Sequence, residues 1–209
     1  MTAFHEKTPE QTPEQTPKQT PEQAPALKTF VSALEELVQT SDESQADFWP
    51  RLQAAMQALV ARDDWLPDSV AVPHPEYYQQ YCLHVDAQER FSVVSFVWGP
   101  GQSTPIHDHT VWGAIGMLRG AEVSQDYACD ANGKPFETGQ PHTLLAGDVA
   151  CVSPTIGDIH RVSNVFEDKV SVSVHAYGAD IGRVSRHVFP LEGGSPKTFV
   201  SGYSTPVAR

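Results

Sequence analysis

The sequence predicts a mainly β protein, a small barrel or sandwich with α-helices packed outside it on the N-terminal side. Three observations carry this prediction. Between residues 26 and 60 the apolar residues recur at helical spacing. From about residue 77 the chain breaks into short β-runs punctuated by Gly, Pro, Asn and Asp. One of those breaks, Asp130-Ala-Asn-Gly133, contains Asn-Gly, the strongest short hairpin signal. Several short strands at such spacing close into a barrel or a two-layer sandwich.

Taken in order, the chain opens on a leader. Thr8 to Gln23 repeats Thr-Pro-Glu-Gln, once with Lys for Glu. Proline at every fourth position forbids a regular helix, and almost nothing apolar is available to bury. Residues 1–25 are therefore expected to be a disordered tail, and residues 26–209 a single domain. Its helical lead-in spans 26–66. Leu27, Phe30, Val31, Leu34, Leu37 and Val38 stripe a first helix ending near Thr40. A second follows Asp47-Phe48-Trp49-Pro50, with Pro50 in its first turn, and buries Leu52, Ala55, Met56, Leu59 and Val60. Both stripes are expected to pack on a sheet. The barrel then occupies about 77–205, with runs at Phe91–Trp98, Val111–Leu118, Val149–Val152 and the alternating Val170–Tyr177.

Composition narrows the function. There are 14 Lys+Arg against 26 Asp+Glu, a net charge of -12. This argues against nucleic acid and anionic membrane surfaces as partners. The three cysteines, Cys82, Cys129 and Cys151, have no metal-knuckle or disulfide spacing, which fits a reducing cytoplasm. No apolar run approaches a membrane span, and no secretory h-region is seen.

The chemistry concentrates in two stretches. In the first, His107-Asp108-His109 puts two imidazoles two residues apart; on a strand such residues share a face and can close on one metal ion. The spacing alone also describes a surface pair without metal. In the second, Gly147…Pro154…Gly157…His160…Asn164, a third histidine follows a turn. A barrel could bring it to the pair. Three imidazoles suit Zn, Fe, Cu or Ni, so ligand type alone does not select the metal. Downstream, Ser173, His175 and Tyr177 alternate on one strand face, where Ser can orient His and His can orient the Tyr hydroxyl. The wet face of a half-exposed strand shows the same alternation.

The order Gly101…His107-Asp108-His109 then Gly147…Pro154…Gly157…His160…Asn164 resembles the two metal-holding motifs of the cupin superfamily, a small jelly-roll barrel. It departs from the general pattern where most metal cupins carry Glu after the second His: Gly113 and Ala114 stand there. With Ser173, His175 and Tyr177 added, the chain resembles the thiol dioxygenases of the cysteine dioxygenase type I superfamily. That resemblance implies one Fe(II) per chain on His107, His109 and His160, with Ser173, His175 and Tyr177 as the triad beside it. It implies a small thiol carboxylate and O2 as the molecules it takes, and a sulfinic acid as product. Three features look like the bacterial 3-mercaptopropionate branch. No Cys follows the second His. Gln80 stands where cysteine dioxygenases hold the carboxylate with Arg. Arg186 lies nine residues past Tyr177, where that branch carries its carboxylate-binding Arg. Tyr177 would assist in holding the carboxylate. Arg161 and Arg183 compete with Arg186 for that role. Other readings of the same residues are a cysteine dioxygenase, a zinc cupin acting as hydrolase or isomerase, and a binding cupin without catalysis. His74, His84, His142 and His187 have no partner spacing, and Asp108 is expected to point away from the ligand face.

Overall fold

The computed structural model describes residues 24–206, so the repeat at Thr8–Gln23 lies outside the described residues. Two helices, α1 (Pro25–Thr40) and α2 (Phe48–Val60), precede ten strands. The strands are β1 (Gln79–Val85), β2 (Ser92–Trp98), β3 (Gly113–Arg119), β4 (Ala121–Cys129), β5 (Pro135–Leu145), β6 (Val149–Val152), β7 (His160–Asn164), β8 (Ser171–Tyr177), β9 (Arg186–Val188) and β10 (Lys197–Phe199). Pro25 sits in the first turn of α1, where its missing N–H costs nothing. No described helix is long and apolar enough to cross a membrane.

One sheet has the order β1-β2-β8-β3-β6. Opposite it, β5-β4-β7 continues through the irregular segment 103–107, which bridges β7 at Ser163 and His160, and then through Val188 into β9 and β10. Two facing antiparallel layers make the small jelly-roll barrel the sequence predicts.

Alternation along each strand sorts side chains between two cores. On β8, Val172, Val174 and Ala176 point out of the barrel and meet Leu34, Leu52 and Met56 of the helices. Ser173, His175 and Tyr177 point in. The helices thus sit outside the first sheet, as expected. The approach is close at Gly116: a Cβ there would lie 2.7 Å from Met56 Sδ and from Val60 Cγ1. Only glycine lets α2 sit this near β3. Inside the barrel, Val94, Phe96, Trp98, Val162, Tyr177 and Ile181 form a second apolar cluster.

The helix–sheet layer holds the rigid floor beneath β8, so its loss should be global rather than local. Leu52 has no exposed surface. Leu52→Ala is expected to lower unfolding free energy by about 2–5 kcal/mol, measured by urea unfolding.

Candidate metal centre

His107, His109 and His160 converge, and all three are buried. Their ring centroids form a triangle 4.9 Å on each side, with the candidate ligand nitrogens all within 4.8 Å of one another. The expectation that His107 and His109 share a face because they lie on a strand needs correction. Both lie outside the regular strands. His107 is held instead by a reciprocal backbone pair with His160, N–H to carbonyl in each direction at 3.0 Å. It also bridges Val188 on its other side.

Each ring is oriented through Nδ1. His107 Nδ1 donates to the Pro105 carbonyl at 3.1 Å. His109 Nδ1 donates to Asp158 at 2.9 Å, and the same carboxylate accepts the backbone N–H groups of His109 and Thr110. His160 Nδ1 shares a 3.1 Å hydrogen bond with Ser124. A carbonyl and a carboxylate can only accept, so two of the rings carry their hydrogen on Nδ1 and leave the Nε2 lone pair free. This is the arrangement that presents imidazoles to a metal. Burial drives the His107 pKa down to about 3, with His109 adding repulsion. Burial likewise holds His160 well below its ordinary value. Neutral rings are what a divalent ion needs. Burial raises the Asp158 carboxyl, but the hydrogen bonds it accepts outweigh that and hold it below the usual range. The donor set fits a first-row divalent ion bound by three neutral nitrogens.

Among the described residues no carboxylate enters the triangle, and the packing near Gly113 is tight. A Cβ on Gly113 would stand 3.0 Å from the Tyr177 ring and from Val152. Ala114 faces the helices instead. The Tyr177 ring crowds the place of a residue-113 side chain, and it stacks on His109 at 5.3 Å with 22° between planes.

Ser173, His175 and Tyr177 form one hydrogen-bonded row. Ser173 Oγ to His175 Nε2 is 2.8 Å, and His175 Nδ1 to Tyr177 Oη is 2.8 Å. Phe96 stacks on His175 at 4.2 Å. All three residues are buried, so the row is not a wet strand face. Burial lowers the His175 pKa and raises that of Tyr177. Tyr177 keeps its proton across the ordinary pH range.

The three histidines, His175, Tyr177 and Arg186 line one cavity of about 270 Å³, walled by Phe96, Trp98, Val162 and Phe199. Arg186 is buried, its guanidinium 4.8 Å over the Phe199 ring. Nη2 donates to Ser201 Oγ at 2.7 Å, while Nε is buried without a partner. A desolvated cation with an unused donor is able to receive an anion. Gln80 lines the same cavity, and its amide nitrogen donates to Ser201 Oγ and the Gly202 carbonyl. The structure leaves Arg161 and Arg183 elsewhere: Arg161 bonds Ser103, and Arg183 pairs with Glu89 on the surface. Asp108 points away from the ligand face, as expected, and receives the backbone N–H and Nδ1 of His187, which pins β9 to the loop.

Sequence reasoning missed Asp158, Ser124, Ser201 and Glu122. Asp158 had a usable signal, an acid two residues before the third histidine. The other three become neighbours of the site only through strand pairing or the return of the C-terminal segment.

Fold and site together define the class: a cupin barrel with a three-histidine metal-type cluster and, among the described residues, no acidic ligand. The chain belongs to the cysteine dioxygenase type I family, whose model matches residues 24–187. Among solved structures, it is similar to an uncharacterised conserved protein with a double-stranded β-helix domain from Klebsiella pneumoniae, at 18% identity and TM-score 0.44, covering 62% of this chain and 99% of that one. A cupin superfamily protein from Desulfitobacterium hafniense matches at 15% identity and TM-score 0.42, covering 57% and 94%. A cupin-like protein from Thermotoga maritima matches at 18% identity and TM-score 0.39, covering 50% and 73%.

Removing the carboxylate behind His109 should loosen the metal before it loosens the fold. Asp158→Ala is expected to weaken metal affinity roughly 10–100-fold, read by competition with a chelating dye. Unchanged affinity would contradict the orienting role.

Proposed function

We propose that the protein is a non-haem iron thiol dioxygenase that converts 3-mercaptopropionate and O2 to the corresponding sulfinic acid. His107, His109 and His160 would hold one Fe(II). Bound there, iron would supply the redox chemistry by which both atoms of O2 pass to a thiolate sulfur. The observation that carries the reading is the buried Arg186, with its free Nε, in the same cavity as the histidine triangle.

The remaining groups have separable tasks. Arg186 pairs with the substrate carboxylate by a charge-assisted, two-pronged bond and so fixes where the far end of the molecule, the sulfur, can lie. Tyr177 holds a proton at Oη beside the triangle, fixed in direction by His175. Phe96, Trp98 and Phe199 keep water out, which strengthens the pairing to Arg186. Among the described residues lining the cavity there is no Asp or Glu to receive an ammonium. This favours a thiol acid without an amine. Cysteine is the second substrate reading, supported by the family match itself.

Oxygen uptake with 3-mercaptopropionate, cysteine and cysteamine, side by side, tests the assignment. The expected order puts 3-mercaptopropionate first and cysteamine, which has no carboxylate, last. Cysteine far ahead would overturn the substrate, and no thiol-dependent uptake at all would overturn the activity. Arg186→Lys keeps the charge but loses the fork; it is expected to raise KM roughly 10- to 150-fold, the equivalent of about 1.5–3 kcal/mol for a charged hydrogen bond. An unchanged KM would remove Arg186 as the anchor.

A further inference from the structure

The Ser173–His175–Tyr177 row does not end at Ser173. Ser173 Oγ lies 3.0 Å from Glu122 Oε2 on β4, in the facing sheet, and receives Trp98 Nε1–H at 3.0 Å. Glu122 is buried. It lines a second, smaller cavity of about 90 Å³ behind the triangle, together with Ser124, Asp126 and His142. We propose that Glu122 is the terminus of a proton relay, Tyr177–His175–Ser173–Glu122, which takes up the proton that a substrate thiol sheds on becoming a thiolate and later returns it through Tyr177. The proposal rests on the reading of the first cavity as a thiol carboxylate site.

Donor counting gives the row two states. Trp98 Nε1–H can only donate, so it fills one of the two lone pairs on Ser173 Oγ in both. With Glu122 ionised, Ser173 gives its one hydrogen to Glu122. His175 must then donate from Nε2 to the remaining Ser173 lone pair, and its bare Nδ1 accepts the Tyr177 hydroxyl. With Glu122 protonated every bond reverses. Glu122 donates to Ser173, Ser173 donates to His175 Nε2, and His175 Nδ1–H donates to Tyr177. The Tyr177 hydroxyl hydrogen is then free for the cavity. Each state satisfies every donor of the row except the Tyr177 hydroxyl of the second, which is left for a molecule in the cavity.

The two states differ by one proton, and transfer along the row connects them. A thiol proton arrives at Tyr177 Oη and the tyrosine's own hydrogen passes to His175 Nδ1. The Nε2 hydrogen passes to Ser173, and the serine hydrogen to Glu122. The S–H bond breaks, an O–H bond forms on Glu122, and the sulfur keeps the electron pair. Run backward, the same steps deliver one proton to the cavity. Only Glu122 changes charge, and its position suits that: burial raises its pKa to about 7 against the lowering bond from Ser173. The titratable groups facing it are Asp126 on β4, His142 on β5, Cys151 on β6, His160 on β7, and His175 and Tyr177 on β8. His160 and His175 stay neutral.

The test counts protons without turnover. Iron-loaded protein under argon is titrated with 3-mercaptopropionate at about pH 8, by calorimetry in two buffers of different ionisation enthalpy. Glu122 is then mostly ionised before binding. The native protein is expected to release close to no protons, because the thiol proton stays on Glu122. Glu122→Gln and Ser173→Ala, which remove or disconnect the acceptor, are each expected to release one per site. A purely structural role for Glu122 would leave that number unmoved. In the native protein alone, the infrared difference spectrum should gain a protonated-carboxyl band on binding, so the proposal stands or falls even where a variant does not fold. One proton released by the native protein, or no such band, overturns the relay while leaving the substrate intact. No binding heat at all overturns the substrate reading and the relay with it.

Discussion

His107 and His160 exchange two backbone hydrogen bonds, and the candidate centre hangs from that exchange. It fastens an irregular loop to the edge of β7, two stretches that the chain separates by the whole of β3 to β6. Backbone pairing fixes Cα positions far more tightly than side-chain contacts do, so the rings inherit their triangle from the sheet rather than from mutual attraction. The Nδ1 partners then settle which nitrogen faces inward, leaving little for an arriving ion to organise.

The barrel interior carries an unusual polar load. His175, Ser173, Glu122 and Arg186 are all buried. Such groups tend to cost stability unless each finds a partner. Most do, within short rows that run across the strands. The exception is Arg186 Nε, buried without one. An unspent donor on a permanent cation is a cost in stability, and it is the feature that the proposed carboxylate site would use. The compensation lies outside the barrel, in the apolar layer between β8 and the two helices.

Much of this was legible in the sequence because it was local. The stripe Leu27, Phe30, Val31, Leu34 and Leu37 gave α1 to within a residue of its start. The alternation of Ser173, Val174, His175, Ala176 and Tyr177 sorted two faces of β8, one toward the helices and one toward the cavity. Strand placement failed at His107 and His109. Their shared direction comes from bridges to His160 and Val188, not from strand pleating, and no period of two can reveal a pairing to residues so far away. Glu122, Ser124 and Ser201 were silent for the same reason. Each sits in a segment that reads as ordinary strand or tail until β4, β7 and the C-terminal return are laid against one another.

Tyr177 and Gly113 bear on how such centres can diverge. The phenol ring and a side chain at position 113 compete for one volume, with the strands on either side already in register. A side chain at 113 would sit beside this tyrosine only with the ring and Val152 moved by a few tenths of an ångström. A centre that gained a side chain at 113 would first have to loosen the packing of the phenol ring beside the histidines.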